Sequence, residues 1–294
     1  MKKNLARTYC EDVLFADANV GPNEADSVLF GVRYGGTVSF RKGTETGPCA
    51  IREESWNFET FHWEHGTDLE KSKLFDAGDI GPFKTPDEMV TSVATRAREL
   101  AHGNFLVMLG GEHSVSAPVV EATKAKCVIV VDAHLDFRDS YHDSKNNHAC
   151  ATRRFAELVG AENVFPIGIR SICAEELEDA KRLGLKYATS KDVRERGIDR
   201  VIDEALASVK GRPLYLSIDI DGLDPAYAPG TGTPEPFGIT SWDAKRIVER
   251  LAPELIGMDV VEVSPPCDNG NTASLAARLV REAMAVRMKS PTRE

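Results

Sequence analysis

An α/β fold in three layers, a mainly parallel sheet with helices on both faces, is predicted by three features of the 294-residue chain. Apolar runs of strand length alternate along the sequence with amphipathic segments of helix length, the order that parallel βαβ units produce. The strand-like runs are apolar at consecutive positions, as in strands covered on both faces. No Pro/Ser/Gly-rich linker divides the chain, so residues 1–294 read as a single domain.

Taken in order, residues 1–26 carry little periodic signal and are expected to form a surface arm. Residues 28–32 (VLFGV) give the first buried strand, and a glycine-punctuated loop leads to a helix from about Pro48, whose fixed φ suits a helix start. Residues 74–80 form a short strand. In residues 85–104 Thr85 is placed as a helix cap, Pro86 in the first turn, Glu88 three residues beyond the cap and Gly103 at the stop. A strand over 105–111 and a helix over 114–124 follow, then the strand 128–131. The polar segment after Asp139 is irregular until about Cys150. Beyond it come a strand at 164–170, helices at 174–183 and 199–210, a strand at 214–221, a helix at 241–252, a strand at 255–263 and a closing helix at 272–289.

With 42% hydrophobic and 28% charged residues, the chain is an ordinary soluble one that can bury a large core. Lys and Arg number 36 against 46 Asp and Glu, a net charge of -10, which argues against a nucleic-acid or anionic-membrane surface and suits a small cationic partner. The six cysteines, at 10, 49, 127, 150, 173 and 267, show no Cys-x-x-Cys spacing, so neither a zinc ribbon nor a disulfide framework is expected. No apolar stretch follows the basic N-terminal residues and no run reaches membrane-spanning length, so a cytoplasmic protein is expected.

The chemistry concentrates where apolar runs end. Val128, Ile129, Val130 and Val131 lead into Asp132, His134 and Asp136, which share one side if the chain stays extended. The run from Leu214 ends in Asp219 and Asp221, again two apart, and the run from Leu106 ends in Gly110 and Gly111 with His113 beyond. Buried carboxylates without partners cost several kcal/mol each or take up protons, so the clustering calls for a cation. Four carboxylates balance two divalent ions, and an oxygen-rich set with two imidazoles suits Mn²⁺ better than Zn²⁺. The set His113, Asp132, His134, Asp136, Asp219 and Asp221 is therefore read as a site for two Mn²⁺, with Ni²⁺ or Co²⁺ as substitutes.

GGEHS (110–114), DAHLDFRD (132–139) and SIDIDGLDPAYAPGTGTPEPFG (217–238) resemble, in order and spacing, the metal-binding signatures of the ureohydrolase family of arginase and agmatinase. The likeness runs from about Gly31 to about Arg287. It implies hydrolysis of a guanidino compound to urea and an amine, with Asp136 among the catalytic ligands, Glu262 on the guanidinium and Thr233 supporting substrate or a metal carboxylate. His148 is implied as the proton shuttle, with His142 as the competing candidate. The motif differs from some members in having Ala149 after the histidine. Trimers or hexamers are implied for the assembly.

For the substrate tail, Arg138 stands where arginases carry an Asn, and Ser144-Lys145-Asn146 keeps only part of the arginase turn. DFRDSY followed by His148 resembles agmatinases, whose substrate ends in an ammonium group that Asp139 and Asp143 would favour. Arg138, Arg153 and Arg154 leave a second reading: a carboxylate-tailed substrate such as guanidinobutyrate or formiminoglutamate. Arginine itself is a further alternative, and so is a catalytically idle accessory subunit, although all six ligands are present.

Overall fold

The computed structural model describes residues 13–209 and 212–289. Each long apolar run becomes a strand, because a backbone buried on both faces needs ladder partners for its amides and carbonyls. In chain order the elements are β1 (Ser27–Val32), α1 (Gly47–Ser55), a small hairpin of β2 (Phe61–His62) and β3 (Thr67–Asp68), β4 (Leu74–Ile80) and α2 (Pro86–Leu100). Then follow β5 (Phe105–Leu109), α3 (Ser116–Thr123), β6 (Cys127–Val131), α4 (Ala151–Val159), β7 (Val164–Ile169) and α5 (Ala174–Leu183). The rest is β8 (Ala188–Thr189), α6 (Ser190–Arg196), α7 (Ile198–Ser208), β9 (Leu214–Asp219), α8 (Ser241–Leu251), β10 (Leu255–Val261) and α9 (Asn271–Lys289).

Eight strands form one sheet in the order β4-β1-β5-β10-β9-β6-β7-β8, and every neighbouring pair is parallel. Alternate side chains feed two cores. Leu29, Val107, Leu109, Ile129 and Val131 pack toward α1 and α6 to α9, while Val28, Phe30, Leu106, Val128 and Val130 pack toward α2 to α5. The predicted three layers are thus observed. The α2 cap forms as expected, with the Glu88 amide donating to Thr85 Oγ1 at 3.1 Å.

Topology places the site. After β5 the chain crosses to β6, and the gap between them is filled much later by β9 and β10, which makes the crevice where parallel sheets bind ligands. Register brings the four strand ends level: Leu109 lies beside Val260, Val261 beside Asp219, and Ile218 beside Val131. Gly111 is needed to close this end, since a Cβ there would sit 1.9 Å from the Tyr34 carbonyl oxygen.

One expectation changes, and three short strands were not foreseen. Part of the expected surface arm is anchored: Phe15 is fully buried, its amide donates to Asp76 Oδ2 at 2.9 Å, and Asp17 pairs with buried Arg281 at 2.9 Å, while residues 21–24 are exposed. A single buried aromatic in a short stretch outside any strand or helix gives no periodicity, so this anchoring was invisible. The remainder of the predicted arm, residues 1–12 with Cys10, and the end of the helix expected over 199–210 at Lys210 lie outside the described residues. The β2–β3 hairpin and the two-residue β8 fall below the length at which pattern marks a strand.

Candidate metal centre and active site

Each strand of the central four delivers one part of the site. Beyond β6 the chain leaves the extended conformation, and Asp136 has φ +50. The alternation survives nonetheless: Ala133, Leu135 and Phe137 are fully buried in the core while Asp132, His134 and Asp136 meet on the site side. Bonds from the Leu135 amide to the Ser171 carbonyl at 3.2 Å and from the Arg170 amide to the Ala133 carbonyl at 2.8 Å hold this path.

All six expected ligands converge. His113 Nδ1 lies 3.2 Å from Asp132, 3.3 Å from Asp136 and 3.3 Å from Asp219. His134 Nδ1 lies 3.1 Å from Asp221 and 3.8 Å from Asp132. Two ligand groups therefore share Asp132, one oxygen toward each histidine. His113 Nδ1 and Asp132 Oδ2 are buried with no hydrogen-bond partner among the described residues, a costly arrangement unless a cation satisfies both. The residues fit a pair of divalent ions.

The surroundings orient these ligands. His113 Nε2 is 3.1 Å from Ser217 Oγ, which donates to Asp259 Oδ1 at 2.7 Å, while Tyr215 donates to Asp259 Oδ2 at 2.9 Å. Ser217 spends its hydrogen on Asp259 and so accepts from Nε2–H, which turns the Nδ1 lone pair of His113 toward the carboxylates. Asp221 is held by the Ala133 amide at 3.1 Å and the Thr233 hydroxyl at 3.1 Å. Arg170 clamps the loop after β9, donating to the carbonyls of Asp221 and Glu235 at 2.7 Å and of Gly222 at 3.0 Å.

The charges report the same crowding. Burial pushes the Asp132 carboxyl up to about 7, with Asp136 adding to it. Burial, with Asp221 and Asp132, raises Asp219 well above the usual carboxylate range. Burial works against charge on His134, yet Asp221 holds its pKa at about 11, and Asp132, Asp136 and Asp219 likewise keep His113 high against its burial. Burial also opposes ionisation of Asp221, but His134 outweighs it and lowers that carboxyl.

These shifts give a prediction for protein stripped of metal. A carboxyl raised from 3.8 to about 7 binds its proton more tightly folded than unfolded, so its stabilisation is present at low pH and lost as pH climbs through that window. His134, raised from 6.5 to about 11, acts in the same direction at higher pH. Ligation instead requires deprotonated groups. The rise in melting temperature on adding Mn²⁺ should therefore grow from pH 5 to pH 8, as thermal scans with and without chelator would show. A constant or shrinking rise would contradict the assignment.

Glu262 follows β10 with φ +62, a costly backbone for a non-glycine residue and one that turns its carboxylate into the cavity. Its Oε1 accepts from the His113 amide at 2.8 Å. The cavity is also lined by His134, Asp136, Arg138, Tyr141, His148 and Thr233. His148 thus lines the cavity, whereas His142 is exposed, lies tilted against Tyr141 with ring centroids 4.2 Å apart and does not line the cavity.

Asp139 is not brought to the site. It is exposed and pairs with Lys145 at 3.3 Å and Arg154 at 3.4 Å, because the loop turns outward after Phe137. Asp143 is exposed as well. Arg153 pairs with Asp179 at 2.8 Å and Arg154 with Glu157 at 2.8 Å, which leaves Arg138 as the cationic side chain of this group at the mouth. Asp259, Ser217, Arg170 and Glu112 were missed from sequence. Asp259 stands inside an apolar run, and its partners are 42 and 44 residues away.

A second cluster, His62, His65 and Glu282, is of another kind. Its separations of 2.9 and 2.6 Å are those of hydrogen bonds, and Lys245 and Arg278 already supply cationic charge beside it.

A parallel α/β protein with two carboxylate-rich ligand groups at its central strand ends, and a buried glutamate facing the same cavity, has the architecture of a binuclear metallohydrolase. Comparison specifies the class: the model of the arginase family matches residues 25–286. The chain belongs to that family and is an enzyme of the ureohydrolase type. It is 39% identical to the agmatinase of Bacillus subtilis (strain 168), over 89% of this chain and 91% of that protein. It is 35% identical to the guanidinobutyrase of Pseudomonas aeruginosa, over 89% of this chain and 86% of that protein. Among solved structures, the agmatine ureohydrolase of Thermoplasma volcanium superimposes with a TM-score of 0.90 at 40% identity, covering 96% of both chains.

Proposed function

We propose that the protein hydrolyses agmatine to putrescine and urea, with two Mn²⁺ held by His113, Asp132, His134, Asp136, Asp219 and Asp221. The observation that carries the reading is the shared cavity: His134, Asp136, Asp219 and Asp221 of the proposed ligand set line it together with Glu262, so a guanidinium held by Glu262 lies against them. When bound there, the two cations supply the acidification of water, to a pKa of roughly 7, that hydrolysis of a resonance-stabilised guanidinium requires at neutral pH. Mn²⁺ is favoured by the oxygen-rich donor set, with Ni²⁺ or Co²⁺ as substitutes.

The chain's own groups do the rest. Glu262, a carboxylate in a cavity lined by other acids, accepts two parallel N–H bonds from a planar guanidinium and so orients it. Thr233 keeps Asp221 in place, and His148 at the mouth gives a proton to the leaving amine. The mouth supports an ammonium tail. Arg138, its cationic side chain among the described residues, lies 4.8 Å over the Tyr141 ring and 3.7 Å from Glu176, so a carboxylate tail would have to draw it away from both.

Among the described residues no helix is long and apolar enough to cross a membrane. No disulfide joins the five described cysteines, which supports the cytoplasm as the compartment. Trp56, Phe61 and Trp63, 63, 57 and 74% exposed, give an apolar surface suited to association of copies, in keeping with a trimer or hexamer.

The test is urea release by the Mn²⁺-loaded protein from agmatine, arginine and 4-guanidinobutyrate, with formiminoglutamate assayed by formamide. We expect agmatine to exceed the others, all of which carry a carboxylate, in kcat/KM by about 100-fold, the cost of seating that charge in a cavity lined by acids. Preference for 4-guanidinobutyrate would reassign the tail to Arg138, and silence on every substrate with metal bound would favour an accessory subunit.

A further inference from the structure

We propose that Thr37 and Glu112 fix His148 in the tautomer that carries its proton on Nδ1, leaving Nε2 as the nitrogen that serves the leaving group. The proposal rests on the reading of His148 as proton donor and deepens it.

Hydrogen-bond accounting carries the inference. Glu112 is fully buried one residue before His113, and three donors converge on its carboxylate. The Thr37 amide donates to Oε2 at 2.6 Å, and the Thr37 and Ser114 hydroxyls donate to Oε1 at 2.5 and 2.6 Å. A threonine hydroxyl has a single hydrogen, and here it is spent on Glu112. Toward its other neighbours Thr37 Oγ1 is therefore an acceptor. Those neighbours are the His148 amide at 3.1 Å and the His148 ring Nδ1 at 3.1 Å. An acceptor facing Nδ1 requires a hydrogen on Nδ1, so the neutral ring has its lone pair on Nε2.

Nε2 is in turn 3.3 Å from Ser39 Oγ, which donates to it when the ring is neutral and accepts from it when the ring is charged. Both protonation states thus keep a partner, and the edge of the ring against Tyr141 at 6.1 Å limits its swing. In the reaction the Nε2–H proton of the charged ring passes to the leaving nitrogen as its C–N bond breaks. The ring returns to the neutral Nδ1–H form and regains a proton from solvent. Glu112 and Thr37 are positioning residues that decide which nitrogen works. Neither belongs to the metal-binding motifs as donors, and the glycine pair Gly35–Gly36 before Thr37 is the sole sequence hint.

The first experiment is a long-range ¹H–¹⁵N spectrum of the imidazoles in the intact Mn-free protein, with His148 assigned by His148→Ala. We expect a protonated Nδ1 and an unprotonated Nε2 in the neutral ring, changing to a tautomer mixture in Thr37→Val. A native ring protonated on Nε2 overturns the proposal. The second is kinetic. Thr37→Val should lower kcat about tenfold with KM and metal content unchanged, Thr37→Ser should restore it, and Thr37→Val should add nothing in the His148→Ala background. Equal losses in both backgrounds overturn the coupling. Native kcat in His148→Ala sinks the proton-donor reading itself, while the tautomer measurement still judges Thr37.

Discussion

Asp132→Ala is expected to reduce urea release by roughly 10³-fold or more. The estimate follows from the several kcal/mol that metal ions contribute at such centres, at 1.36 kcal/mol per decade of rate. Asp132 is the residue common to both ligand groups, so its loss affects both ions at once. The fold should survive. Metal-free protein loses a carboxyl that burial and its acidic neighbours make costly to ionise, so the melting temperature of the stripped variant at pH 7.5 should equal or exceed that of stripped native protein. Steady-state urea assay, metal analysis and thermal scans on the same preparation check this. Near-native turnover with two bound ions would remove Asp132 from the centre, and a collapsed fold would make its role structural.

Glu262→Gln separates substrate recognition from metal binding. The variant keeps an oxygen for the His113 amide, which donates to Glu262 at 2.8 Å, and so should hold metal as before. What it loses is the second charge-assisted acceptor for the guanidinium, worth roughly 2–5 kcal/mol when a buried charge pair is broken. We expect kcat/KM to fall by about 10²-fold or more with metal content unchanged. Burial raises the Glu262 carboxyl well above its ordinary value, with Glu112 adding, so binding a cationic guanidinium should also release a proton. Loss of metal from the glutamine variant would instead make Glu262 part of the ligand scaffold.

How much of this was legible depends on how local each signal is. The long strands were readable because a strand buried on both faces must be apolar at consecutive positions, and Val128 to Val131 is such a run. The candidate ligands were readable because carboxylates at the ends of such runs have no packing explanation, and Asp132, Asp136, Asp219 and Asp221 stand there. Thr233 and Glu262 came from the resemblance; both line the cavity, and Thr233 bonds Asp221.

The orienting groups were hidden, since their meaning lies in partners far along the chain. Asp259 looks like an oddity inside β10 until Ser217 and Tyr215 of β9 meet it. Glu112 looks like one letter of a motif until Thr37, 75 residues earlier, closes on it. Arg170 reads as the polar end of β7 and proves to be the clamp on the loop after β9. Asp139 failed for the opposite reason. Its charge suggested a substrate contact, but whether a loop charge faces the cavity or solvent is decided by Asp136 at φ +50 and the turn that follows, which charge pattern does not encode.

The most direct test of the binuclear assignment is the stoichiometry and coupling of Mn²⁺ in the native protein, by metal analysis together with electron paramagnetic resonance. Two ions per chain with an exchange-coupled signal, reduced in Asp132→Ala, is the expected result. One ion per chain, or two that show only isolated Mn²⁺ signals, would contradict it.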